Sequence, residues 1–165
     1  MRIVVADTGP LLHLLEAHLL DLLKLTGDVY IPPAVASEIS RLAANWPSLQ
    51  IDWIVVTPLI EPHGSQSVAW REARLLDPGE AEALALARQL SADWFLTDDA
   101  AARVMAGELG IEAHGSLGIV LWAAATGRLN REKAMDALDQ LAQSSLWISA
   151  RILGEAREAL VALYL

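Results

Sequence analysis

Short apolar runs alternate with longer segments of helical periodicity along the chain. Runs of strand length occupy residues 3–6, 29–31, 94–97 and 111–114, and residues 51–57 are a further candidate strand. Helical patterns fill the intervening segments, among them 11–25, 34–44, 68–76 and 100–109, and continue to a last helix at 150–163. This alternation predicts an α/β three-layer sandwich, with a central, mostly parallel sheet flanked by helices.

Two segments carry more detailed expectations. Leucines cover most of residues 11–25, which predicts one largely buried helix that ends before Gly27. Two prolines and a glycine in residues 58–66 predict a loop that precedes the helix at 68–76. For residues 46–70 the sequence leaves three roles open: a lid, an oligomer contact or an addition to the core.

Composition limits the class of protein. The 165 residues are 54% hydrophobic, which fits one folded domain over residues 1–165, with 128–165 as a C-terminal helical extension. The absence of cysteine excludes a disulfide scaffold and a cysteine zinc site. Charged residues follow or interrupt the apolar runs 3–6 and 11–25, so neither is a signal peptide or a membrane span. We therefore expect a cytoplasmic protein without membrane contact.

The charge balance bears on possible partners. Twelve Lys and Arg stand against 21 Asp and Glu, a formal net charge of −9. That balance argues against binding of nucleic acid through the overall field of the protein. It does not exclude binding of nucleic acid through metal ions.

Acidic residues fall where a parallel sheet places ligand sites. Asp7 follows the first strand, and Asp98 and Asp99 follow the strand at 94–97, while Glu38 and Glu80 lie early in helices. Ligands bind beyond the carboxyl ends of parallel strands, so these carboxylates converge if their strands are neighbours. A cluster of carboxylates repels itself unless a cation neutralises it, and such oxygen ligands suit Mg²⁺ or Mn²⁺.

Several of these acids have an ordinary structural role open to them. Asp7 is placed to cap the helix that follows it. Glu38 is three residues before Arg41 and can form an ion pair with it. Asp77 and Glu80 have the spacing of a capping box, which alone would account for Glu80.

Ordinary structural roles are also open to the residues near the end of the strand at 94–97. One of Asp98 and Asp99 is expected to cap the helix at 100–109, and Ser116 is more often a cap than a ligand. His13 is more often hydrogen-bonded within the fold than a metal ligand. The six tryptophans, Trp147 among them, show no stacking periodicity and are expected mostly in the core or an interface, not as a nucleobase platform.

The ordered motifs resemble those of a known family. They are VVADTGPL at 4–11, ASEI at 36–39, DPGEAEALALA at 77–87, FLTDDAAAR at 95–103 and GSLG at 115–118. Together they resemble the PIN-domain family, most closely its bacterial and archaeal branch with a GEAEA helix and a DDxxAR segment. The resemblance covers about residues 1–127 in order and spacing.

This resemblance implies a Mg²⁺- or Mn²⁺-dependent endoribonuclease, often the toxin of a toxin–antitoxin pair, that cleaves RNA with metal-activated water. By motif position, the catalytic acids are Asp7, Glu38, Glu80 and Asp99. Asp7, Asp99 and Glu80 are also the implied metal ligands, with Asp98 as an alternative to Asp99. Much of the family has Asp where this chain has Glu80.

The resemblance also implies partners and substrate contacts. Arg103 and Ser116 are candidates for substrate binding, although an Arg one helical turn after the acids could equally hold the site together. The expected partners are an RNA substrate, an antitoxin protein and a second copy of the chain in a homodimer. The apolar positions of residues 134–141 and 156–163 offer a surface for the dimer or the antitoxin.

Two other functions compete with this interpretation. A haloacid-dehalogenase-like phosphatase needs a second Asp two residues after the first and a positioned Lys, but position 9 is Gly and the only lysines are Lys24 and Lys133. A non-catalytic interaction module of the same fold is the other alternative, which the complete acid set disfavours.

Overall fold

The computed structural model describes residues 1–165 and contains one sheet of five parallel strands. The spatial order of the strands is β3-β2-β1-β4-β5. Their bounds are β1 Ile3–Ala6, β2 Asp28–Ile31, β3 Ile54–Val56, β4 Trp94–Leu96 and β5 Ala113–His114. The candidate strand within 51–57 is therefore a true edge strand, paired in parallel with β2. The predicted α/β fold is confirmed.

Helices flank this sheet. Eight α-helices follow the strands in chain order: α1 Thr8–Glu16, α2 Pro33–Leu42, α3 His63–Glu72, α4 Pro78–Gln89, α5 Ala100–Glu108, α6 Ser116–Ala125, α7 Arg131–Ala142 and α8 Ala150–Leu163. Two short 3₁₀ helices, Leu20–Leu25 and Pro47–Leu49, complete the secondary structure. None of these helices has the combination of length and apolar character that spanning a bilayer requires.

The core lies around the two central strands. Val4, Val5, Phe95 and Leu96 are completely buried. Small alanines on α4 are buried as well, which lets that helix pack closely on its neighbours. Strands with both faces covered consist of apolar residues throughout, which is why the short runs were recognisable in the sequence.

The central pair β1 and β4 fixes where the site forms. The two strands are parallel neighbours, with Ala6 paired to Leu96. The Asp7 N–H then donates to the Leu96 carbonyl at 2.8 Å. The carboxyl ends of both strands therefore lie side by side, and the acids that follow them are brought to one edge of the sheet.

The leucine-rich segment differs from the sequence prediction. One helix was expected over 11–25, but α1 ends at Glu16 and His18 adopts a left-handed conformation with φ of 59° before the 3₁₀ helix begins. Leu20, Leu22 and Leu23 remain buried after this turn. Tertiary burial of leucines on both sides of the turn overrides helix propensity here.

The expected loop at 58–66 is also shorter than predicted. Helix α3 begins at His63 because Pro62 precedes it as N-cap, and the helix ends at Glu72. Arg74, with φ of 57°, then turns the chain toward α4. Proline is compatible with the start of a helix, so it marks the beginning of α3 and not the middle of a loop.

The C-terminal helices use their apolar faces within the chain. Ala134 and Leu138 of α7 form a small buried cluster with Ala156 and Leu160 of α8 and with Ala124. The apolar positions that the sequence offered as a partner surface are therefore largely covered. The exposed large apolar side chains on these two helices are Val161 and Leu163.

Candidate active site

Asp7 lies at the centre of the site, between the end of β1 and the start of α1. Its Oδ1 accepts a hydrogen bond from the Thr8 N–H at 2.7 Å, and its Oδ2 accepts one from the Thr97 hydroxyl at 2.9 Å. The residue is only 5% exposed. Burial, with smaller contributions from the charges of Glu80 and Glu38, raises the pKa of Asp7 to about 7. Asp7 is also the N-cap of α1, so the same carboxylate caps a helix and belongs to the site.

Glu38 reaches the same region from α2. Its Oε2 accepts a hydrogen bond from the Thr8 hydroxyl at 2.6 Å, next to Asp7. No ion pair joins Glu38 to Arg41, so the ordinary role weighed for Glu38 is not the one it has. Its carboxylate lies against Gly79, where a Cβ would collide with both carboxylate oxygens. The glycine of the DPGE motif therefore leaves room for an acid of another helix.

Glu80 combines a capping role with a place in the site. Its Oε2 accepts a hydrogen bond from the Asp77 N–H at 3.0 Å, as the capping-box spacing predicted. The side chain is partly buried, and burial raises its pKa, with further contributions from the negative charges of Asp99, Asp77 and Glu38. The cap thus holds one oxygen of Glu80 and orients the carboxylate toward the other acids.

Asp98 and Asp99 have different surroundings despite being adjacent. Asp98 accepts hydrogen bonds from the Ser116 N–H and hydroxyl, both at 2.6 Å, and pairs with His13 Nδ1 at 2.7 Å. Burial alone would raise the pKa of Asp98, but these hydrogen bonds hold it below its usual value. Asp98 therefore ties α1 and α6 together, and both its oxygens are engaged.

Asp99 is the N-cap of α5, as one member of the pair was expected to be. Its Oδ2 accepts a hydrogen bond from the Ala102 N–H at 2.8 Å, and its own N–H donates to the Thr97 hydroxyl at 3.2 Å. Oδ1 has no partner within the protein, and the charge of Asp99 acts on Glu80. Of the two aspartates, Asp99 has the carboxylate oxygen that is available to a ligand.

The acids line one open cleft of about 340 Å³. Its walls also include Thr8, His13, Ser145 and Trp147. None of the ion pairs of the protein involves Asp7, Glu38, Glu80 or Asp99. Four carboxylates thus share a partly desolvated cleft whose one basic side chain, His13, is paired with Asp98 and not with them, an arrangement typical of a functional site.

Comparison with known proteins agrees with this geometry. The DUF3368 family model, described as a PIN domain, matches residues 3–161. The chain belongs to the PIN-domain family. PIN domains are generally nucleases. The match extends beyond residue 127, so it includes α7 and almost all of α8. The search of curated proteins produced no match.

PIN domains generally use divalent metal ions, and the residues of this site fit such an ion in donor type and charge. Asp7, Glu38, Glu80 and Asp99 all offer oxygen, the ligand of hard divalent cations. The raised pKa values of Asp7 and Glu80 show that the cleft disfavours its own negative charge, which a cation would relieve. No three acidic, histidine or cysteine side chains are already grouped for coordination. Binding of an ion therefore requires side-chain adjustment or water ligands.

The two candidate substrate contacts of this PIN domain lie in different surroundings. Ser116 is fully buried, and its hydroxyl donates to Asp98, so it supports that acid from inside the fold. Arg103 is exposed on α5, forms no ion pair and lines a second cavity beside the acid cleft. Its guanidinium is therefore free to meet an anionic group.

Several supporting residues were not assigned a role from the sequence. Thr8 and Thr97 hold Glu38 and Asp7, and the only sequence signal for them is their position beside the strand-end acids. Glu82 of α4 also has a role that the sequence did not indicate: its Oε2 accepts a hydrogen bond from the Ala34 N–H at 2.9 Å at the start of α2. It compensates for Pro32, which caps α2 without a side-chain hydrogen bond.

Proposed function

We propose that this protein is a metal-dependent endoribonuclease that hydrolyses RNA phosphodiester bonds with Mg²⁺ or Mn²⁺. The observation that carries the proposal is the cleft in which Asp7, Glu38, Glu80 and Asp99 face one another with no basic partner. A phosphodiester brings a further negative charge to this cleft. It can bind there only with cations that offset the combined charge.

The hydrogen bonds of the site divide the four acids by role. Asp7 and Asp99 come from adjacent strand ends and share Thr97, so we assign them the metal. Glu38 and Glu80, on α2 and α4, act directly or through water. A bound divalent ion would supply an activated water and stabilise the charge that develops on the phosphate.

A carboxylate accepts the proton of the attacking water in this scheme. Glu80 is the candidate base, because only one of its carboxylate oxygens is held by a hydrogen bond within the protein and the other is open to the cleft. As the water oxygen bonds to phosphorus, Glu80 would accept the proton of the water. The bond to the departing ribose oxygen breaks in the same displacement, and that oxygen takes a proton from solvent to leave as an alcohol. The Asp77 N–H keeps Glu80 oriented during this step through the hydrogen bond at 3.0 Å.

A cleavage assay tests the proposal. Purified protein is incubated with a mixed single-stranded RNA and Mn²⁺ or Mg²⁺, beside Asp7→Asn and Asp136→Asn. Asp136 is an exposed aspartate of α7, so its substitution is a matched control for loss of one charge. We expect metal-dependent cleavage that Asp7→Asn abolishes and Asp136→Asn preserves. Equal cleavage by wild type and Asp7→Asn would contradict the assignment, and no cleavage by wild type would favour a non-catalytic module.

We extend the proposal to a toxin of a toxin–antitoxin pair that forms a homodimer. The unbalanced acid cleft and the exposed Val161 and Leu163 of α8 support a partner that covers part of the surface. Expression in a host cell should arrest growth for wild type and not for Asp7→Asn, and the mass of the purified protein in solution should be that of a dimer. Normal growth with active protein would contradict the toxin role, and a monomeric mass would contradict the homodimer.

A further inference from the structure

Trp147 is an exposed aromatic side chain at the edge of the acid cleft. It is 83% exposed, whereas the other five tryptophans are buried or half-buried. It lines the same cleft as Asp7, Glu80 and Asp99. Leaving an indole in water forgoes a large burial free energy, and at the rim of a cleft its faces are open to a ligand.

The chain around Trp147 is held firmly. Glu16 Oε1 accepts hydrogen bonds from the Ser145 N–H at 3.1 Å and from its hydroxyl at 2.5 Å. The flanking Leu146 and Ile148 pack against the main core. Trp147 is thus the outward-facing residue between two anchored neighbours. The neighbours of Trp147 are anchored and its indole ring is exposed to solvent, so the ring can stack on a ligand.

A second cavity continues from the acid cleft on the other side of Trp147. It has a volume of about 540 Å³ and shares Asp98, Leu146 and Trp147 with the cleft. The unpaired Arg103 lines it. An aromatic ring, an unpaired guanidinium and a site for phosphodiester hydrolysis are therefore joined along one continuous surface.

We infer that Trp147 stacks on a base of single-stranded RNA next to the scissile phosphate, and that the cavity lined by Arg103 holds the adjoining nucleotide and its phosphate. This inference rests on the proposed function, since it assigns a substrate subsite to the same cleft. An unpaired base offers two open faces for stacking, whereas the bases of a duplex are stacked on each other. The substrate class is accordingly an unpaired strand or loop.

The charge of the protein supports an aromatic contact. With a net charge of −9, the protein gains little affinity for RNA from its overall field. Stacking on an aromatic ring needs no positive charge and tolerates any base. Arg103 then adds one local phosphate contact without changing the overall balance.

Steady-state cleavage of a short single-stranded RNA tests the inference with Trp147→Ala and Trp147→Phe. We expect Trp147→Ala to raise KM by about ten-fold or more at nearly unchanged kcat, and Trp147→Phe to retain most of the affinity because it keeps a ring. Arg103→Ala should raise KM as well, whereas Arg88→Ala, at the far end of α4 from Glu80, should not. Unchanged KM in Trp147→Ala would overturn the inference and leave the proposed nuclease intact.

A substrate with one base removed identifies the stacked nucleotide. We expect one abasic position beside the cleavage site to raise the KM of wild type by the same factor as Trp147→Ala, with no further effect on that variant. Equal abasic penalties in both proteins would show that Trp147 does not stack and would overturn the inference.

Binding without cleavage separates the inference from the proposed function. Titration of wild type with the same RNA in Ca²⁺, an oxygen-binding cation used in place of Mn²⁺, should quench tryptophan fluorescence, and Trp147→Phe should lose that quenching. Quenching in wild type that Trp147→Phe loses, together with no cleavage in Mn²⁺, would support the stacking site and refute the nuclease. Absence of quenching would overturn the stacking site whether or not RNA is cleaved.

Discussion

The carboxylate of Glu38 lies against the Cα of Gly79, so that a Cβ at position 79 would collide with both of its oxygens. Two helices, α2 and α4, thereby place their acids in one cleft, and the contact depends on the absence of a side chain. Glu38 is otherwise held by the Thr8 hydroxyl at 2.6 Å. The glycine is thus a positioning residue for an acid 41 positions earlier in the chain.

Gly79→Ala should impair catalysis while the protein remains folded. The added methyl group meets the far end of a flexible side chain, so Glu38 moves and the backbone does not. We expect kcat to fall by about 10- to 100-fold, because a displacement of about 1 Å at a reacting group costs that much. The melting temperature should change little, since alanine also favours the helix.

Gly154→Ala is the matched control for this substitution. Gly154 also lies within a helix, and a Cβ there meets no atom within 4 Å. It should leave kcat unchanged and stabilise the protein slightly. Equal kcat values for Gly79→Ala and wild type would show that the position of Glu38 does not matter for cleavage.

The pKa of Asp7 predicts how the stability of the metal-free protein depends on pH. The folded-state pKa is about 7 against an ordinary value of 3.8, so the native state binds more protons than the unfolded state between these two pH values. Stability must then fall as the pH rises from about 4 to above 7. Full ionisation of the buried carboxyl of Asp7 over this pH range lowers the free energy of unfolding by on the order of 4 kcal/mol.

Asp7→Asn should remove most of this dependence. Urea unfolding in EDTA at about pH 5 and about pH 8 should show a marked loss of stability for wild type and a smaller one for Asp7→Asn, which retains the contribution of Glu80. Mn²⁺ at the higher pH should raise the melting temperature of wild type and have little effect on Asp7→Asn. Parallel pH profiles for the two proteins would contradict the burial of a titrating Asp7.

The sequence revealed the strand-end acids because of how parallel sheets are built. The strands β1 and β4 are apolar because both faces are covered, so their ends, and with them Asp7 and Asp99, could be located from hydropathy alone. Their adjacency could not, since strand order depends on tertiary packing. It followed only from the PIN resemblance and is seen in the pairing of Ala6 with Leu96.

Other features left no local signal. The break at His18 lies in a stretch without Gly or Pro, so no residue there signals the end of a helix. The exposure of Trp147 depends on how Ser145 is tied to Glu16, 129 positions away in the chain. Sequence periodicity cannot indicate which tryptophan lies in solvent when long-range contacts decide it.

The adjacent aspartates should respond differently to the same substitution. Asp99→Asn retains a side chain that caps helices well, so stability should change by less than about 1 kcal/mol while cleavage falls by about 100-fold or more. Asp98→Asn loses charge-assisted hydrogen bonds to His13 and Ser116 and should cost about 1–3 kcal/mol. Thermal unfolding and initial rates, measured on both variants, check the contrast.

The contribution of Asp98 to stability depends on pH with the opposite sign to that of Asp7. The folded-state pKa of Asp98 is lowered, so its stabilising contribution is complete above its ordinary pKa of 3.8 and is lost as the pH falls through the lower native value. The stability gap between wild type and Asp98→Asn should therefore narrow in acid. A gap that widens there, or an Asp98→Asn protein that is stable and inactive, would reverse the roles assigned to the two aspartates.

Thr97 joins the two strand ends through a single hydroxyl and should tune the pH dependence of cleavage. The hydroxyl is fully buried, donates to Asp7 Oδ2 at 2.9 Å and accepts from the Asp99 N–H at 3.2 Å. Thr97→Val keeps the shape but removes a hydrogen bond that favours the charged form of Asp7, so the pKa of Asp7 should rise further. Since metal binding requires the ionised carboxylate, the acid limb of the kcat/KM profile should move to higher pH.

Thr97→Ser is the control, because it retains the hydroxyl and loses only a methyl group. It should keep the acid limb of wild type, whereas Thr97→Val should also lose about 1–3 kcal/mol of stability from the unsatisfied Asp99 N–H and Asp7 carboxylate. Coincident pH profiles for Thr97→Val and wild type would show that this hydroxyl does not control the charge of Asp7. A shift in Thr97→Val alone would identify the bond between the two strand ends as the element that keeps Asp7 ionisable near neutral pH.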